Sequence, residues 1–219
     1  MPDPSREERD AIERYAARLG VHLSARQVSQ LHGYLELLDT WNRRFRLVGT
    51  RDRSALITRH IVDALGAAPL VVSRSLIIDI GSGAGLPGIP VAIACPDASV
   101  TLLESRRRPV SFLTETARSL ALANVRVLET RVETVIGGSG QMGGFDAALA
   151  RAWEGLERFL EVSAALLRPG GIAIAMKGPR ADKEIGALGD VARTFGPPHK
   201  VPYTIEGARA RVLLVFERV

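Results

Sequence analysis

The chain has 219 residues, 46% of them hydrophobic, with a single cysteine and a formal net charge of +5. This length allows one α/β domain with a small extension and excludes two large domains. One cysteine cannot form an internal disulfide or a cysteine metal cluster, so we expect no metal, and a reducing cytoplasm fits. The charged N-terminus and the lack of a long apolar run predict no membrane span and no export. We also expect a monomer.

Three helices are predicted near the N-terminus. Apolar residues recur at helical spacing over 5–19, 24–42 and 53–67, and Ser24 is placed to cap the second helix. We therefore assign 1–67 to a small N-terminal helical extension and 68–219 to the main domain.

The main domain alternates between strand and helix patterns, which predicts a parallel sheet covered on both faces. The predicted strands are 76–80, 99–103, 125–129, 145–150 and 171–176, and the predicted helices are 87–95, 108–122, 154–167 and 182–194. Two further strands, 199–205 and 211–217, have no helix between them and should form an antiparallel hairpin at the sheet edge, with Glu206-Gly207-Ala208 in the turn. The glycine-rich segment 137–144 is predicted to be a loop without chemistry.

A glycine-rich turn follows the first predicted strand, where Gly81, Gly83 and Gly85 occupy alternate positions after Asp79. Glycines lack a Cβ, so the backbone can approach a ligand closely while N–H groups at the helix start stay free to donate. Asp79 would repel a pyrophosphate and favours a ligand such as the amino acid part of S-adenosylmethionine. Glu104 ends the next predicted strand, where an acidic side chain usually binds ribose hydroxyls. Glycine spacing alone would equally fit an ordinary strand-to-helix turn, but the two acids favour a nucleoside cofactor.

Further polar side chains follow the predicted strands. Glu104, Glu133, Arg151 and Lys177 all lie just beyond strand ends. Ligands in open α/β sheets bind at that edge, so these four residues are predicted to gather round one cleft.

Arginine is concentrated in two places, which favours an anionic partner over evenly spread charge. One cluster lies between Arg43 and Arg59, and the other is Arg106-Arg107-Arg108. Trp41 and Phe45 are interleaved with the first cluster, an arrangement that can stack bases, although Trp41 more simply closes its helix onto the core. Solvated surface charge remains the alternative for both clusters.

The residues after the fourth predicted strand, Leu149-Ala150-Arg151-Ala152-Trp153, bear on the acceptor. A methyltransferase that acts on an exocyclic amine usually places an Asn/Asp-Pro-Pro-aromatic run there, and one that attacks cytosine carbon places a cysteine. Neither is present. An acceptor that needs no proton removal is favoured, such as N7 of guanine, and catalysis would be mostly positioning.

Several motifs together carry a family resemblance. They are Trp41-Asn42, Arg51-Asp52, Arg59-His60-Ile61-Val62-Asp63, the run from Asp79 through Gly85-Leu86-Pro87-Gly88-Ile89-Pro90, Leu103-Glu104-Ser105, Phe112-Leu113, Arg131-Val132-Glu133, Arg151-Ala152 and Lys177-Gly178. From about Leu31 to Gly178 the chain resembles the GidB/RsmG family of bacterial 16S ribosomal RNA guanine-N7 methyltransferases. The Gly-Leu-Pro-Gly-Ile-Pro extension is the most diagnostic part.

The resemblance implies a Rossmann-like class I methyltransferase sheet behind the helical extension, S-adenosylmethionine as cofactor, and a guanosine of 16S ribosomal RNA, naked or in a small-subunit precursor, as substrate. It also implies that Gly81 and Leu86 line the cofactor pocket, that Val132 and Glu133 contact the adenine end, and that Arg151 reaches the cofactor or the incoming base. No catalytic residue is assigned; Arg151 and Lys177 are candidates for positioning.

The predicted sites combine both lines of reasoning. The cofactor site comprises Asp79, Gly81, Gly83, Leu86, Glu104, Val132, Glu133 and Arg151. The RNA-binding residues are Arg43, Arg44, Arg46, Arg51, His60, Arg107 and Arg108.

The chain also departs from the family pattern. It has Arg46-Leu47-Val48 where the family usually has Asn-Leu-Thr, alanine at Ala150 and Ala64 where the family has serine, and Pro109 where the family has a basic residue. The changes at Arg46-Leu47-Val48 and at Ala150 remove hydrogen-bonding side chains beside the expected target pocket. The alternatives are a divergent paralogue that methylates another RNA or a small molecule, and a non-catalytic RNA-binding assembly factor.

Overall fold

The computed structural model describes residues 4–137, 143–205 and 210–219. The predicted turn Glu206-Gly207-Ala208 and most of the glycine-rich segment 137–144 lie outside these residues. In the described part of the chain, no helix has the length and apolar character needed to cross a membrane.

The N-terminal helices form close to their predicted positions. Helix α1 spans Pro4–Arg18 and α2 spans Ala25–Phe45. Ser24 caps α2 through a reciprocal pair with Gln27, because its hydroxyl accepts from the Gln27 backbone N–H and its own N–H donates to the Gln27 side chain. A third helical stretch, α3, is α-helical over Arg53–Leu56, π-helical over Ile57–Val62 and α-helical again over Asp63–Leu65. A short α4, Ala68–Val71, leads into the sheet.

Arg53 ties these three helices together. Its guanidinium donates to both carboxylate oxygens of Glu8 on α1, at 2.6 and 2.7 Å, and to Glu36 and Asp39 on α2. Glu8, Glu36 and His32 have side-chain atoms close enough to surround a cation. Because the Arg53 guanidinium already binds both carboxylates, we interpret the cluster as an ion-pair network that fixes α1 and α3 on α2.

The sheet has seven strands in the order β3-β2-β1-β4-β5-β7-β6. The strands are β1 Leu76–Ile80, β2 Ser99–Glu104, β3 Val125–Glu129, β4 Phe145–Arg151, β5 Leu167–Lys177, β6 His199–Tyr203 and β7 Arg211–Glu217. The first five are parallel, and β7 runs antiparallel between β5 and β6. The predicted antiparallel pairing of the last two strands is confirmed. The position of β7 beside β5 was not predicted.

Helices cover the sheet on both faces. They are α5 Gly88–Ala94, α6 Arg107–Ser119, α7 Val132–Gly137, α8 Leu156–Leu166 and α9 Ala181–Gly186. One hydrophobic core extends from Ile12 on α1 to Leu213 on β7, so the helical extension packs directly on the sheet. The opposite face has a second core that includes Phe159 and Phe216. The boundary between 67 and 68 stays a prediction.

Two local predictions are wrong, and one helix was not predicted. The helix expected over 182–194 ends at Gly186, and a separate 3-10 turn covers Asp190–Thr194, because Gly186 and Gly189 interrupt the helical pattern. The strand expected over 171–176 begins earlier, because β5 starts at Leu167 directly after α8 and includes Arg168-Pro169-Gly170-Gly171. Helix α7 was not predicted, because its six residues are too few for a clear periodicity.

Candidate functional site

A cavity of about 460 Å³ opens at the carboxyl ends of β1, β2 and β4. Its walls include Gly81 after β1, Glu104 at the end of β2, and Val132 and Glu133 at the start of α7. On the other side it is closed by Ala152, Trp153 and Glu154. Four of the predicted cofactor residues therefore line one cavity at the edge where α/β sheets bind ligands.

Gly81 is a position where the cavity requires glycine. Its φ is +68°, and an ideal Cβ would lie 2.7 Å from Nε1 of Trp153 and closer still to Cδ1. The indole of Trp153 thus sits directly on the Gly81 backbone. Any larger residue at position 81 must displace this indole, which itself lines the cavity.

Glu104 is the buried acid of this cavity, with only 4% of its surface exposed. Its carboxylate accepts from the backbone N–H groups of Gly83 (2.9 Å), Ser105 (3.0 Å) and Arg106 (2.9 Å), and from the Arg106 guanidinium (3.1 Å). Burial alone would raise the pKa of Glu104, but Arg106 and these N–H groups outweigh burial and hold the pKa below its usual value. Glu104 is therefore ionised at neutral pH, and its two oxygens already accept five hydrogen bonds from Gly83, Ser105 and Arg106.

Asp79 lies behind the cavity instead of in its wall. The side chain is fully buried, Oδ2 accepts from the Gly88 backbone N–H at 3.0 Å, and Oδ1 has no hydrogen-bond partner among the described residues. Burial raises the pKa of Asp79 to about 7. An added Cβ on Gly88 would lie 2.6 Å from Oδ2. Asp79 thus braces the start of α5 from within the core.

A second cavity, of about 530 Å³, adjoins the first at the ends of β4 and β5. Its walls include Arg59, His60 and Asp63 of α3 and Lys177 of β5. The two cavities share Ala152, whose φ of +52° places a non-glycine residue in the left-handed region. Strain of this kind concentrates at functional sites. We call the second cavity the acceptor cavity.

Arg151 is held in the acceptor cavity by three contacts. Its Nη1 donates to Asp63 Oδ2 at 3.2 Å and to the Arg59 carbonyl at 3.3 Å, and its Nη2 contacts His60 Nδ1 at 2.6 Å. Burial, with Arg151, Arg211 and Arg59 nearby, lowers the pKa of His60 to about 4. His60 is therefore neutral at pH 7, its Nδ1 accepts from Arg151, and Nε2 carries the proton.

The acceptor cavity combines paired and unpaired charge. Lys177 Nζ donates to Glu184 Oε2 at 2.6 Å, and Asp63 pairs with both Arg151 and Arg211. Since Arg59 adds a fourth cation, the lining has four cations for two carboxylates. This balance favours an anionic ligand such as a nucleotide.

A third, smaller cleft of about 330 Å³ is basic and lies beside the glycine-rich loop Gly81–Gly85 that follows β1, here called the cofactor loop after its expected role. Its walls include Arg46, Arg106, Arg107 and Arg108 together with Gly83. We call it the basic cleft. Arg106 also lines the cofactor cavity, so the two sites are contiguous.

Phe45 lies at the wall of the basic cleft between two arginines. The guanidinium carbons of Arg44 and Arg108 lie 5.2 and 5.7 Å from its ring centroid. Trp41 instead packs edge-on against the buried Phe112, with ring centroids 5.6 Å apart, as its core interpretation requires. Of these two aromatic residues, Phe45 is therefore the one that is presented together with positive charge at the basic cleft.

The predicted residues are thus divided between neighbouring sites. Glu104 and Glu133 line the first cavity, while Arg151 and Lys177 line the acceptor cavity. Gly83 lines the basic cleft with Arg46, Arg107 and Arg108, whereas Leu86 is buried in the core. Arg43, Arg44 and Arg51 line none of these three cavities; Arg43 pairs with Asp39 at 2.9 Å, and Arg51 donates to the Arg43 carbonyl.

Sequence reasoning missed several residues of the site. Trp153 enters the sequence analysis only where two acceptor motifs are excluded, Ala152 enters it otherwise only as part of a family motif, and Tyr203 and Arg211 belong to no motif. Asn42, quoted only as part of a motif, is 1% exposed and fixes the loop after α2, because its side chain accepts from Val48 N–H and donates to the Thr50 carbonyl. A buried asparagine in an amphipathic helix was the one available signal for it.

The sheet order and the cavities at its carboxyl edge match the fold of Rossmann-like class I methyltransferases. Two solved structures share the fold. Their sequence identity to this chain is low, so they support the fold and not the function. Cofactor-bound Rv0187 from MTB aligns with a TM-score of 0.60 at 16% identity, over 87% of this chain and 90% of that one. A methyltransferase from Geobacter sulfurreducens aligns with a TM-score of 0.55 at 18% identity, over 85% and 89% of the two chains.

The family follows from sequence. The model of the GidB family, described as rRNA small subunit methyltransferase G, matches residues 27–201. The Stenotrophomonas maltophilia protein of that name is 42% identical over 177 residues, which cover 81% of this chain and 80% of that protein. The Aromatoleum aromaticum protein of the same name is 37% identical over 212 residues, or 94% and 97% of the two chains. The chain belongs to the GidB family.

Proposed function

We propose that the chain transfers a methyl group from S-adenosylmethionine to N7 of a guanosine in small-subunit (16S) ribosomal RNA. The rRNA substrate follows from the family, whose curated members are named ribosomal RNA small subunit methyltransferase G. The chemistry of the acceptor cavity supports the N7 position, and the basic cleft supports an RNA over a small molecule.

The first cavity fits an adenosyl cofactor by the shape and chemistry of its walls. Gly81 lets the Trp153 indole pack on the loop backbone as part of the cavity wall, and the ionised Glu104 could accept ribose hydroxyls in place of its Arg106 side-chain contacts. Val132 offers an apolar wall for the adenine. When bound, S-adenosylmethionine would supply a methyl group on a sulfonium, which is electrophilic without help from a metal. Asp79 would act through the turn, by holding Gly88, instead of contacting the cofactor.

The acceptor cavity lacks a strong base among the described residues, and this observation carries the N7 assignment. His60 is a weak base because its pKa is about 4. Burial is the main cause, and nearby Asp63 the second, of a raised pKa for the Tyr203 hydroxyl. Both carboxylates are paired with cations. Guanine N7 already has a free lone pair and loses no proton on methylation, so it is an acceptor that such a cavity can serve.

Covalent catalysis through cysteine is also excluded, because the only cysteine of the sequence is Cys95. It is 5% exposed, its Sγ lies 3.9 Å from the Ala68 carbonyl in the core, and burial raises the pKa of its thiol to about 11. A buried protonated thiol outside both cavities cannot attack a base.

The chain's own residues would mainly position the substrates. Three of the five N–H donors of Arg151 are used by Asp63, His60 and the Arg59 carbonyl, so the guanidinium is fixed and two donors remain for a ligand. A neutral His60 adds no charge next to a base that becomes cationic. Ala152 lies where the two cavities meet, and the neighbouring Trp153 indole lines the first cavity, where it would exclude water.

The basic clusters discriminate between an RNA and a small-molecule acceptor. If they faced away from the site, a small molecule would be favoured. Instead Arg46, Arg107 and Arg108 line a cleft whose wall includes Gly83 of the cofactor loop. A stem-loop presenting a base to the acceptor cavity could therefore place its phosphates on the basic cleft.

Methyl transfer to RNA tests the proposal directly. The protein is incubated with methyl-labelled S-adenosylmethionine and under-modified small-subunit RNA, and the RNA is then digested to nucleosides. We expect the label in 7-methylguanosine. Arg151→Ala should lose turnover while retaining affinity for S-adenosylhomocysteine, whereas Gly81→Val should lose that affinity. Label in another nucleoside would contradict the N7 assignment, and label only in a small molecule would contradict the RNA substrate.

A further inference from the structure

The C-terminal hairpin reaches into the acceptor cavity. Tyr203 ends β6 and Arg211 begins β7, and the two residues are direct partners in the antiparallel register. Both line the acceptor cavity. Both also lie beyond residue 201, where the family model stops matching. The hairpin therefore brings two polar side chains to the site from a part of the chain without a family motif.

Both side chains converge on one oxygen of Asp63. The Tyr203 hydroxyl donates to Asp63 Oδ1 at 2.8 Å, and Arg211 Nε lies 3.2 Å from the same atom as an ion pair without hydrogen-bond geometry. The Tyr203 ring is held in place by Gly66, where an added Cβ would lie 3.1 Å from ring carbon Cε2. Asp63 is 3% exposed, so its carboxylate depends on these partners in place of water.

The other oxygen of Asp63 holds Arg151. Oδ2 accepts from Arg151 Nη1 at 3.2 Å, and Arg151 contacts His60 through Nη2. A carboxylate held at Oδ1 by Tyr203 and Arg211 has one orientation, so Oδ2 presents a fixed acceptor to Arg151. If the Oδ1 contacts were lost, the carboxylate could rotate and the guanidinium would lose its alignment with the cavity.

We infer that Tyr203 and Arg211 are positioning residues of the acceptor site, which act through Asp63 to fix the Arg151 guanidinium against the incoming base. This inference deepens the proposed function and rests on it. The hairpin is then a functional part of the site as well as the edge of the sheet.

Tyr203→Phe is the most informative variant, because it removes one hydroxyl and keeps the ring that packs on Gly66. We expect kcat for RNA methylation to fall about fivefold, equivalent to about 1 kcal/mol of activation free energy. Affinity for S-adenosylhomocysteine should stay close to wild type, and Tm should fall by only a few degrees, because one buried hydrogen bond to a carboxylate is lost. Tyr15→Phe, the same chemical change on α1 outside the acceptor cavity, is the matched control and should leave kcat unchanged. Arg211→Lys, which keeps the charge, should retain more activity than Arg211→Met.

A double variant tests the route through Asp63. On an Asp63→Asn background, Tyr203→Phe should have little further effect, since residues that act as a unit are not additive. The inference is overturned if Tyr203→Phe leaves kcat unchanged, if it weakens cofactor affinity by as large a factor as it lowers kcat, or if the effects of the two substitutions on kcat multiply.

A second readout does not depend on the RNA substrate. Arginine side-chain NMR reports rotation of the Arg151 guanidinium, and the signal can be assigned by its loss in Arg151→Lys. We expect rotation to be faster in Tyr203→Phe than in the wild type and in Tyr15→Phe. Equal rotation in all three would overturn the inference. Failure of the wild type to methylate RNA would instead refute the proposed function, while the NMR comparison would still test the positioning role.

Discussion

Gly81→Ala is the smallest change that tests the shape of the cofactor cavity. Two effects are combined at this position. The φ of +68° is unfavourable for alanine, and the new Cβ would lie 2.7 Å from Nε1 of Trp153. Gly83→Ala separates the two effects. Gly83 lies in the same loop with a φ of +54°, but a Cβ there would meet nothing nearer than 3.7 Å.

The magnitudes follow from these two contacts. Both variants place an L-residue in the left-handed region, which destabilises the loop by about 1–2 kcal/mol in each case. The clash in Gly81→Ala adds an overpacking term of about 1–3 kcal/mol. Without cofactor, the Trp153 indole can relieve this clash by moving into the cavity that it lines. A bound cofactor fills that space again, so the clash returns on binding. Its cost therefore weakens cofactor binding. Affinity should fall about 5- to 150-fold.

Titration calorimetry with S-adenosylhomocysteine measures this effect, and thermal unfolding measures the shared strain. We expect Gly81→Ala and Gly83→Ala to lower Tm by similar amounts, whereas only Gly81→Ala loses most of its cofactor affinity. Equal affinities in the two variants would refute the conclusion that Trp153 packs on Gly81 and excludes a Cβ there when cofactor is bound.

Three further predictions concern buried titrations and RNA contacts. Asp79 has a folded pKa of about 7, above its unfolded value, so its ionisation lowers the free energy of unfolding by about 2–3 kcal/mol as pH rises from 5 to 8. Urea unfolding of Asp79→Asn should not show this loss. His60, with a folded pKa of about 4, has the opposite sign, and His60→Asn should lack a gain of about 1–2 kcal/mol between pH 5 and 7. An unchanged pH slope would contradict either assignment. Arg107→Gln should reduce the salt slope of RNA binding by about one unit. Exposed Arg193→Gln should not, and equal slopes would deny Arg107 a phosphate contact.

Much of the fold could be predicted from the sequence, because its determinants are local. Strands such as Leu76–Ile80 are apolar runs, here interrupted only by Asp79, and Ser24 with Gln27 is a capping pattern within four residues. The sheet order was not predictable in the same way. Placing β7 between β5 and β6 depends on pairing between distant segments, for which the pattern of each strand alone gives no register.

The candidate site was predictable where the residues follow strand ends in parallel order. Gly81, Glu104 and Arg151 could be placed at the sheet edge for that reason. The division into two cavities could not be predicted, because it depends on the Trp153 indole and the left-handed Ala152. Nor could the contact of Tyr203 with Asp63, which are separated by 140 residues and meet only through the sheet topology. The burial of Asp79 likewise needed the packing of α5.

The central claim is that this chain methylates guanine N7 in small-subunit ribosomal RNA. Mass spectrometry of nucleosides from 16S RNA, purified from cells with and without the gene, tests it most directly. The account predicts one 7-methylguanosine that disappears with the gene and returns with the wild-type copy but not with Gly81→Val. An identical set of modified nucleosides in the two strains would contradict it.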